Sequence, residues 1–274
     1  MHEDENDRST IPELRLRGRL AAVYYPALLG PSHRALAHRL GERASVYDPL
    51  VGAAAGLSAI ASKLEELAQH FADTKASYEP VRAIVGASRD VTEGTLSLES
   101  TAGARAQLPV ACVMHRRKER QADLRAYHAT VPLGRTQAPR PARAPEEGHV
   151  LPTDVAEHLA ALRLGDADAL VASFESGGHL RDGAGRIHHR EGNDLRDFYV
   201  RTLQSERGAN DWVPIVIATT EDVRLCAVEY RTDKPRPHEI HEDGETRSKE
   251  GLLVFERGDS GLFHSVRVYD ELGL

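Results

Sequence analysis

Only two cysteines, Cys112 and Cys226, occur in 274 residues, too few for a disulfide framework or a cysteine-built zinc site. Lysine is also scarce: Lys63, Lys75, Lys118, Lys234 and Lys249 complete the set, and the remaining cationic charge is arginine. Against 35 Lys and Arg stand 42 Asp and Glu, a net charge of −7, so the chain lacks the basic excess that phosphate-driven nucleic-acid binding uses. No apolar run approaches the roughly 20 residues of a membrane-spanning helix. The opening Met1–Thr10 is polar and acidic, unlike a secretory signal or transit peptide. The expectation is a cytoplasmic protein with neither a membrane nor a nucleic-acid partner. A glycine-rich phosphate loop, a dinucleotide fingerprint and a nucleophile-elbow serine are missing too, and no cofactor is expected.

What is present is 41% hydrophobic residue content, in a chain long enough for two domains of about 100–150 residues. Residues 1–16 crowd Glu3, Asp4, Glu5 and Asp7 without an apolar partner and read as a mobile acidic tail. Pro132, Pro139, Pro141 and Pro145 make 131–150 a linker, because proline removes backbone donors and opposes helix. The flanking halves, 17–130 and 151–272, repeat one another. Ala35-Leu36 recurs as Ala169-Leu170, and Asp48 as Asp182, both 134 residues on.

Each half opens with helical patterns (Leu20–Leu29, Ala35–Leu40 and Leu57–Phe71; Val155–Leu164, Ala169–Phe174 and Leu195–Leu203). Each then turns to strands: Arg82–Val85, Val91–Leu98, Leu108–His115 and Ala122–Ala129, then Val213–Thr219, Val223–Arg231, Gly251–Arg257 and Phe263–Tyr269. The fold class is α+β: two tandem domains, each with N-terminal helices on a curved, mainly antiparallel sheet.

Four tags carry a family resemblance: Tyr47-Asp-Pro-Leu-Val-Gly52, Gly165-Asp-Ala-Asp-Ala-Leu170, Cys226-Ala-Val-Glu-Tyr230, and Val254-Phe-Glu-Arg-Gly258 leading to Arg267-Val-Tyr269-Asp270. Their order, present in two copies, resembles the SnoaL-like, nuclear-transport-factor-two-like cone that also houses ketosteroid isomerase and epoxide hydrolases. The resemblance implies a helix–sheet pocket, a general base at an Asp-Pro hairpin and an oxyanion-binding Tyr on the first helix. It also implies two halves paired sheet to sheet as an intramolecular pseudo-dimer, with a homodimer left open.

Transferred residue by residue, the base is Asp48, which precedes Pro49, and the Tyr is Tyr24. Their structural alternatives are a turn cap and a core tyrosine. The isomerase's strand acid falls at Ala111 and Leu253 and is missing, which argues against steroid isomerisation. In the second half, Asp182 and His158 take the two positions and would form a proton-transfer pair. Glu229 is a strand carboxylate flanked by apolar residues, either catalytic or held by Arg231 or Arg267. His115, His188 and Trp212 are candidate substrate contacts. His238 and His241 sit among prolines that disfavour a zincin helix, so no metal site is expected there.

The resulting expectation is a cofactor-independent acid–base enzyme, an isomerase, cyclase or epoxide-opening catalyst for an apolar small molecule. The alternative is a non-catalytic binding or interaction module of the same fold.

Overall fold

The computed structural model describes residues 20–86, 88–99, 105–116, 122–130, 138, 140–141, 144–145, 150–205, 212–232 and 249–269. The acidic tail, most of the proline-rich linker and the His238–His241 loop lie outside the described residues.

In the first half α1 (Leu20–Leu28), α2 (His33–Leu40), β1 (Ser45–Asp48), β2 (Gly52–Ala55) and α3 (Leu57–Asp73) precede four long strands, β3 (Ser77–Val85), β4 (Arg89–Glu99), β5 (Arg105–Arg116) and β6 (Ala122–Tyr127). The second half repeats the order with α4 (Thr153–Leu164), α5 (Ala167–Ala172), β7 (Phe174–Arg181), β8 (Ile187–His189), α6 (Asp194–Ser205), β9 (Trp212–Thr219), β10 (Leu225–Thr232), β11 (Lys249–Arg257) and β12 (Phe263–Tyr269). The sheets run β2-β1-β6-β5-β4-β3 and β8-β7-β12-β11-β10-β9. Within them only β1–β6 and β7–β12 are parallel. This is the α+β architecture expected from the sequence: two tandem units, each with helices packed on a curved, mainly antiparallel sheet.

Local chemistry explains the boundaries. Ile60, Leu64, Leu67 and Phe71 recur at helical spacing and bury one face of α3. Gly165 ends α4 in the left-handed region at φ 72°, and the Asp166 side chain then caps α5 by accepting from Ala169 N at 2.9 Å. β3 begins earlier than its apolar signal because Ser77–Val81 is an edge segment that is mostly exposed and bulges next to Pro80.

Alternation divides each sheet into two faces. In the first, Val110, Cys112 and Met114 join Leu64, Leu67 and Phe71 under the helices, while Ala111 and Val113 point the other way. That other face packs on its counterpart, so Ile84, Val91, Ala111, Val113 and Tyr127 share one cluster with Ala218, Ala227, Leu252, Val254 and Tyr269.

Charged groups ring this apolar centre with approximate two-fold symmetry. Glu93 pairs across its sheet with Ala111 and then Tyr127; Glu229 pairs likewise with Leu252 and then Tyr269. Tyr127 donates to Glu229 of the other half, and Tyr269 returns the bond to Glu93 at 2.5 Å. The Arg267 guanidinium holds Glu93 bidentately at 2.8 and 3.0 Å, and Arg125 reaches Glu250 at 2.8 Å. Arg181 lies over the Tyr269 ring at 4.7 Å. Arg140 of the linker takes the matching place over Tyr127 at 4.4 Å and Tyr47 at 4.5 Å, while donating to the Glu250 carbonyl at 2.7 Å.

Burial alone would raise the Glu93 carboxyl, but Arg267 and the Tyr269 hydroxyl outweigh it and hold it below the usual range. Glu93 and Arg267 are 2% and 7% exposed, so removing Arg267 strands the Glu93 charge, and removing Glu93 takes the bidentate partner from Arg267 and leaves it on Glu256 at 2.7 Å. Glu93→Ala is therefore expected to cost about 3–5 kcal/mol of unfolding free energy. The Glu93→Ala/Arg267→Ala double variant should lose less than the sum of the two single losses. Denaturant unfolding of the four proteins measures both, and strict additivity would remove the pair from the interface.

Candidate functional site

The two interiors differ at their hairpins. In the first half β1 ends at Asp48, whose Oδ1 accepts from Leu50 N at 2.9 Å and so caps the turn into β2. The Tyr24 hydroxyl on α1 donates to Oδ2 at 3.0 Å. His128 continues the helix-facing parity of Leu124 and Ala126 just past β6, and its Nε2 lies 3.5 Å from Oδ1. A phenol, an imidazole and a backbone N–H thus converge on one carboxylate. All three side chains are buried, with Tyr24 and Asp48 at 0% exposure and His128 at 2%.

Burial on its own would raise the Asp48 carboxyl. His128, the Leu50 N–H and the Tyr24 hydroxyl outweigh it and hold Asp48 below the ordinary carboxylate range. Burial, with Asp48 next in weight, pushes the Tyr24 hydroxyl well above its usual value. Asp48 is therefore held as an anion, and the Tyr24 phenol beside it keeps its proton. Around the trio lie Tyr25, Cys112 and Thr92; the Tyr25 hydroxyl is buried without a hydrogen-bond partner among the described residues.

In the second half the expected His158–Asp182 pair does not form. Asp182 Oδ1 accepts from Ala184 N at 3.0 Å and Arg186 N at 2.8 Å, while Oδ2 lies 3.2 Å from His188 Nε2. His188 reaches Asp194 through Nδ1 at 3.2 Å and stacks on Phe198 at 4.4 Å. His158 turns instead into an aromatic nest of Phe174, Tyr199, Phe255 and Phe263. Ser173 spends its one hydroxyl proton on the Leu170 carbonyl at 2.7 Å, so His158 Nδ1 donates to Ser173 Oγ at 2.9 Å. That leaves Nε2 to accept from Tyr199 at 3.4 Å. The ring is held neutral, and burial drives its pKa down to about 3.

Glu229 faces the other sheet and accepts from the Tyr127 hydroxyl of the other half. His115 ends β5 on the parity of Ala111, which packs against the other sheet, so it does not share the interior. The two counted strand-acid positions fall on opposite faces, Ala111 at the interface and Leu253 under the helices. The side chain of Trp212 lies outside the described ones. Sequence reasoning missed His128, although alternation along Leu124-x-Ala126-x-His128 carries the signal.

A concave site lies on the opposite face of the first sheet. Arg43, Ser45, Tyr47, Asp123, Arg125, the alanines of β2 and Pro141 line a cleft of about 480 Å³.

No protein-family model and no curated protein matches the chain. Solved structures similar to it include SalBIII, an epoxide hydrolase/cyclase-like enzyme of pyran ring formation in salinomycin, at 20% identity and TM-score 0.34, covering 42% of this chain and 86% of that one. A protein of ketosteroid isomerase-like fold from Catenulispora acidiphila, in complex with trimethylamine, matches at 15% identity and TM-score 0.34, over 41% of this chain and 86% of its own. TerC, co-crystallised with polyporic acid, matches at 18% and TM-score 0.35, over 42% and 92%.

The neutral His158 has a pH signature. The unfolded imidazole binds its proton near pH 6.5, while the folded one waits until about 3. Between these values the unfolded state binds more protons, so stability falls as pH falls, by up to about 1.4 kcal/mol per unit. His158→Phe keeps the ring packing and is expected to flatten the stability–pH slope between pH 4.5 and 6.5, read by denaturant titration. An unchanged slope would mean that His158 takes up its proton in the folded protein.

Proposed function

We propose that the first half is an acid–base site for a small, largely apolar molecule, and that the second half is its scaffold. The observation that carries this reading is the convergence of Tyr24 and His128 on the buried Asp48. In the second half the equivalent groups are parted and spent on structural bonds. The unpartnered Tyr25 hydroxyl supports it, since a buried phenol without a bond costs about 1–3 kcal/mol that a ligand's oxygen would recover.

In this mechanism Asp48 orients and charges the imidazole of His128, which moves the proton. The Tyr24 hydroxyl, kept protonated by its raised pKa, polarises the reacting oxygen. Proton transfer by such a group contributes about 10²–10⁴-fold. Isomerisation, cyclisation and epoxide opening all use this pair of roles. Because the trio is buried, substrate entry requires α1 to part from the β1–β2 turn.

A second reading, binding without chemistry, is favoured by the 480 Å³ cleft. Its size falls within the range of small-molecule sites, and it lies on the other sheet face from the trio.

One experiment separates the two. The full chain is incubated with a metabolite extract of its source organism and analysed by native mass spectrometry beside Tyr24→Phe, which loses only a hydroxyl, and Asp48→Asn. The expected result is release of an isomer or a water-shifted product by the wild type, with the ligand retained unchanged by Asp48→Asn and turned over about 10²-fold more slowly by Tyr24→Phe. The same unaltered ligand on all three proteins, or none on any, rejects catalysis.

A further inference from the structure

The two halves also differ on the sheet faces that turn away from their helices. In the first half β2, β1 and β6 lie side by side, and their register sets residues in rows across the three strands. One row is Ala55, Ser45 and Asp123; the next on the same face is Ala53, Tyr47 and Arg125. The row between them, Ala54, Val46 and Leu124, packs under the helices. The two outer rows therefore face the other way and form the floor of the 480 Å³ cleft, with Arg43 and Pro141 in its wall.

The corresponding rows of the second half are His189, His179 and Ser265, then Ile187, Arg181 and Arg267. Alanine thus stands at both β2 places where the duplicate carries an imidazole and a branched aliphatic chain. Ala53 and Ala55 are exposed on an edge strand, where β-branched and aromatic residues suit the sheet better. The small side chains open space there instead of stabilising the strand.

The polar side of the cleft is not fully satisfied. The Ser45 hydroxyl gives its proton to Asp123 Oδ1 at 2.8 Å, and the Tyr47 hydroxyl gives its own to the Ala138 carbonyl at 2.9 Å. Arg125 is 7% exposed and donates through Nη1 to Glu250 at 2.8 Å. Its Nε is buried without a hydrogen bond among the described residues, and Asp123 Oδ2 lies 3.7 Å from it. That separation is too long for a direct bond. One oxygen placed between the two would accept from the guanidinium and donate to the carboxylate, recovering the cost of an unmet buried donor.

Charge sets the class of ligand. A carboxylate drawn to Arg125 meets Asp123, and an ammonium drawn to Asp123 meets Arg125 and Arg43, so the walls repel either sign. A hydroxyl is donor and acceptor at once and answers both groups without adding charge. The alanines and Pro141 leave the remaining space apolar.

We propose that this cleft binds a neutral small molecule with a compact apolar body and one hydroxyl, which bridges Arg125 and Asp123. The proposal rests on the reading of the cleft as a binding site and names its ligand class. It is separate from the Asp48 trio, which lies on the helix side of the same strands.

The probes are 1-adamantanol, 1-adamantanecarboxylate and 1-adamantylammonium, one rigid apolar body with three heads, titrated into the full chain at pH 7.5 by ligand-detected NMR. The alcohol is expected to bind, and each ion at least about 10-fold more weakly. Ala53→Ile/Ala55→His, which installs the second half's own side chains at exposed edge positions, should weaken alcohol binding at least about 10-fold. Asp123→Asn, which keeps an oxygen for Ser45, should strengthen carboxylate binding about 10-fold. Tyr24→Phe, altered only on the helix side, should bind the alcohol as the wild type does. No binding of the alcohol overturns the proposal, as does binding that the paired substitution leaves intact or that Tyr24→Phe removes. A preference for either ion that the paired substitution abolishes overturns the ligand class while the cleft stands as a binding site.

Discussion

The bidentate bond from Arg267 to Glu93 crosses between the two halves of the chain with almost no water near it, and the arrangement of both sheets depends on it. A guanidinium and a carboxylate buried in this way are expensive to desolvate, and their fork-to-fork geometry, the Tyr269 hydroxyl on Glu93 and the Glu256 carboxylate on Arg267 at 2.7 Å compensate them. The pair therefore tolerates one register between the sheets. Tyr127–Glu229 and Arg125–Glu250 repeat the demand on the other side of the apolar centre. Sheet faces that would otherwise be exposed become the shared core of a pseudo-dimer within a single chain.

That constraint bears on where chemistry is placed. With one sheet face committed to the partner half, each interior lies between the other face and the helices, and there the two halves have diverged. The first keeps a phenol and an imidazole on a single anion. The second substitutes an imidazole for the phenol and drives it neutral with four aromatic rings. Asp182 meanwhile spends its oxygens on backbone N–H groups and on His188. The same residue type at the same hairpin thus caps its turn and meets a histidine in both halves, and the phenol on the first helix joins it only in the first.

Asp48 and Tyr24 were legible because a hairpin before proline and a helix 24 residues upstream are local features, and their relation is carried by the repeat. His128 was not, since its partner lies 80 positions away and only the parallel pairing of β1 with β6 brings them together. Glu229 was recognised as a carboxylate needing a partner, and the Tyr127 hydroxyl that donates to it comes from the other half, a choice no alternation pattern contains. The strand-acid positions met a related limit: one count back from Tyr127 and from Tyr269 gives Ala111 and Leu253, but Ala111 pairs with Tyr127 whereas Leu252 pairs with Tyr269, so the same count put the two positions on opposite faces.

By itself, the sequence determined the elements, their order and their duplication, because helix and strand periods, the glycine and aspartate caps and the proline-rich break are set by short-range sterics and hydrogen bonding. It also determined that few carboxylates could enter the interior. Tertiary structure alone decided which charges face each other across the sheets and which histidine completes the Asp48 trio. Those are contacts between residues far apart in the chain, fixed by strand order, and the energy that selects them, desolvation repaid by a geometrically matched partner, exists only once the sheets have closed on each other.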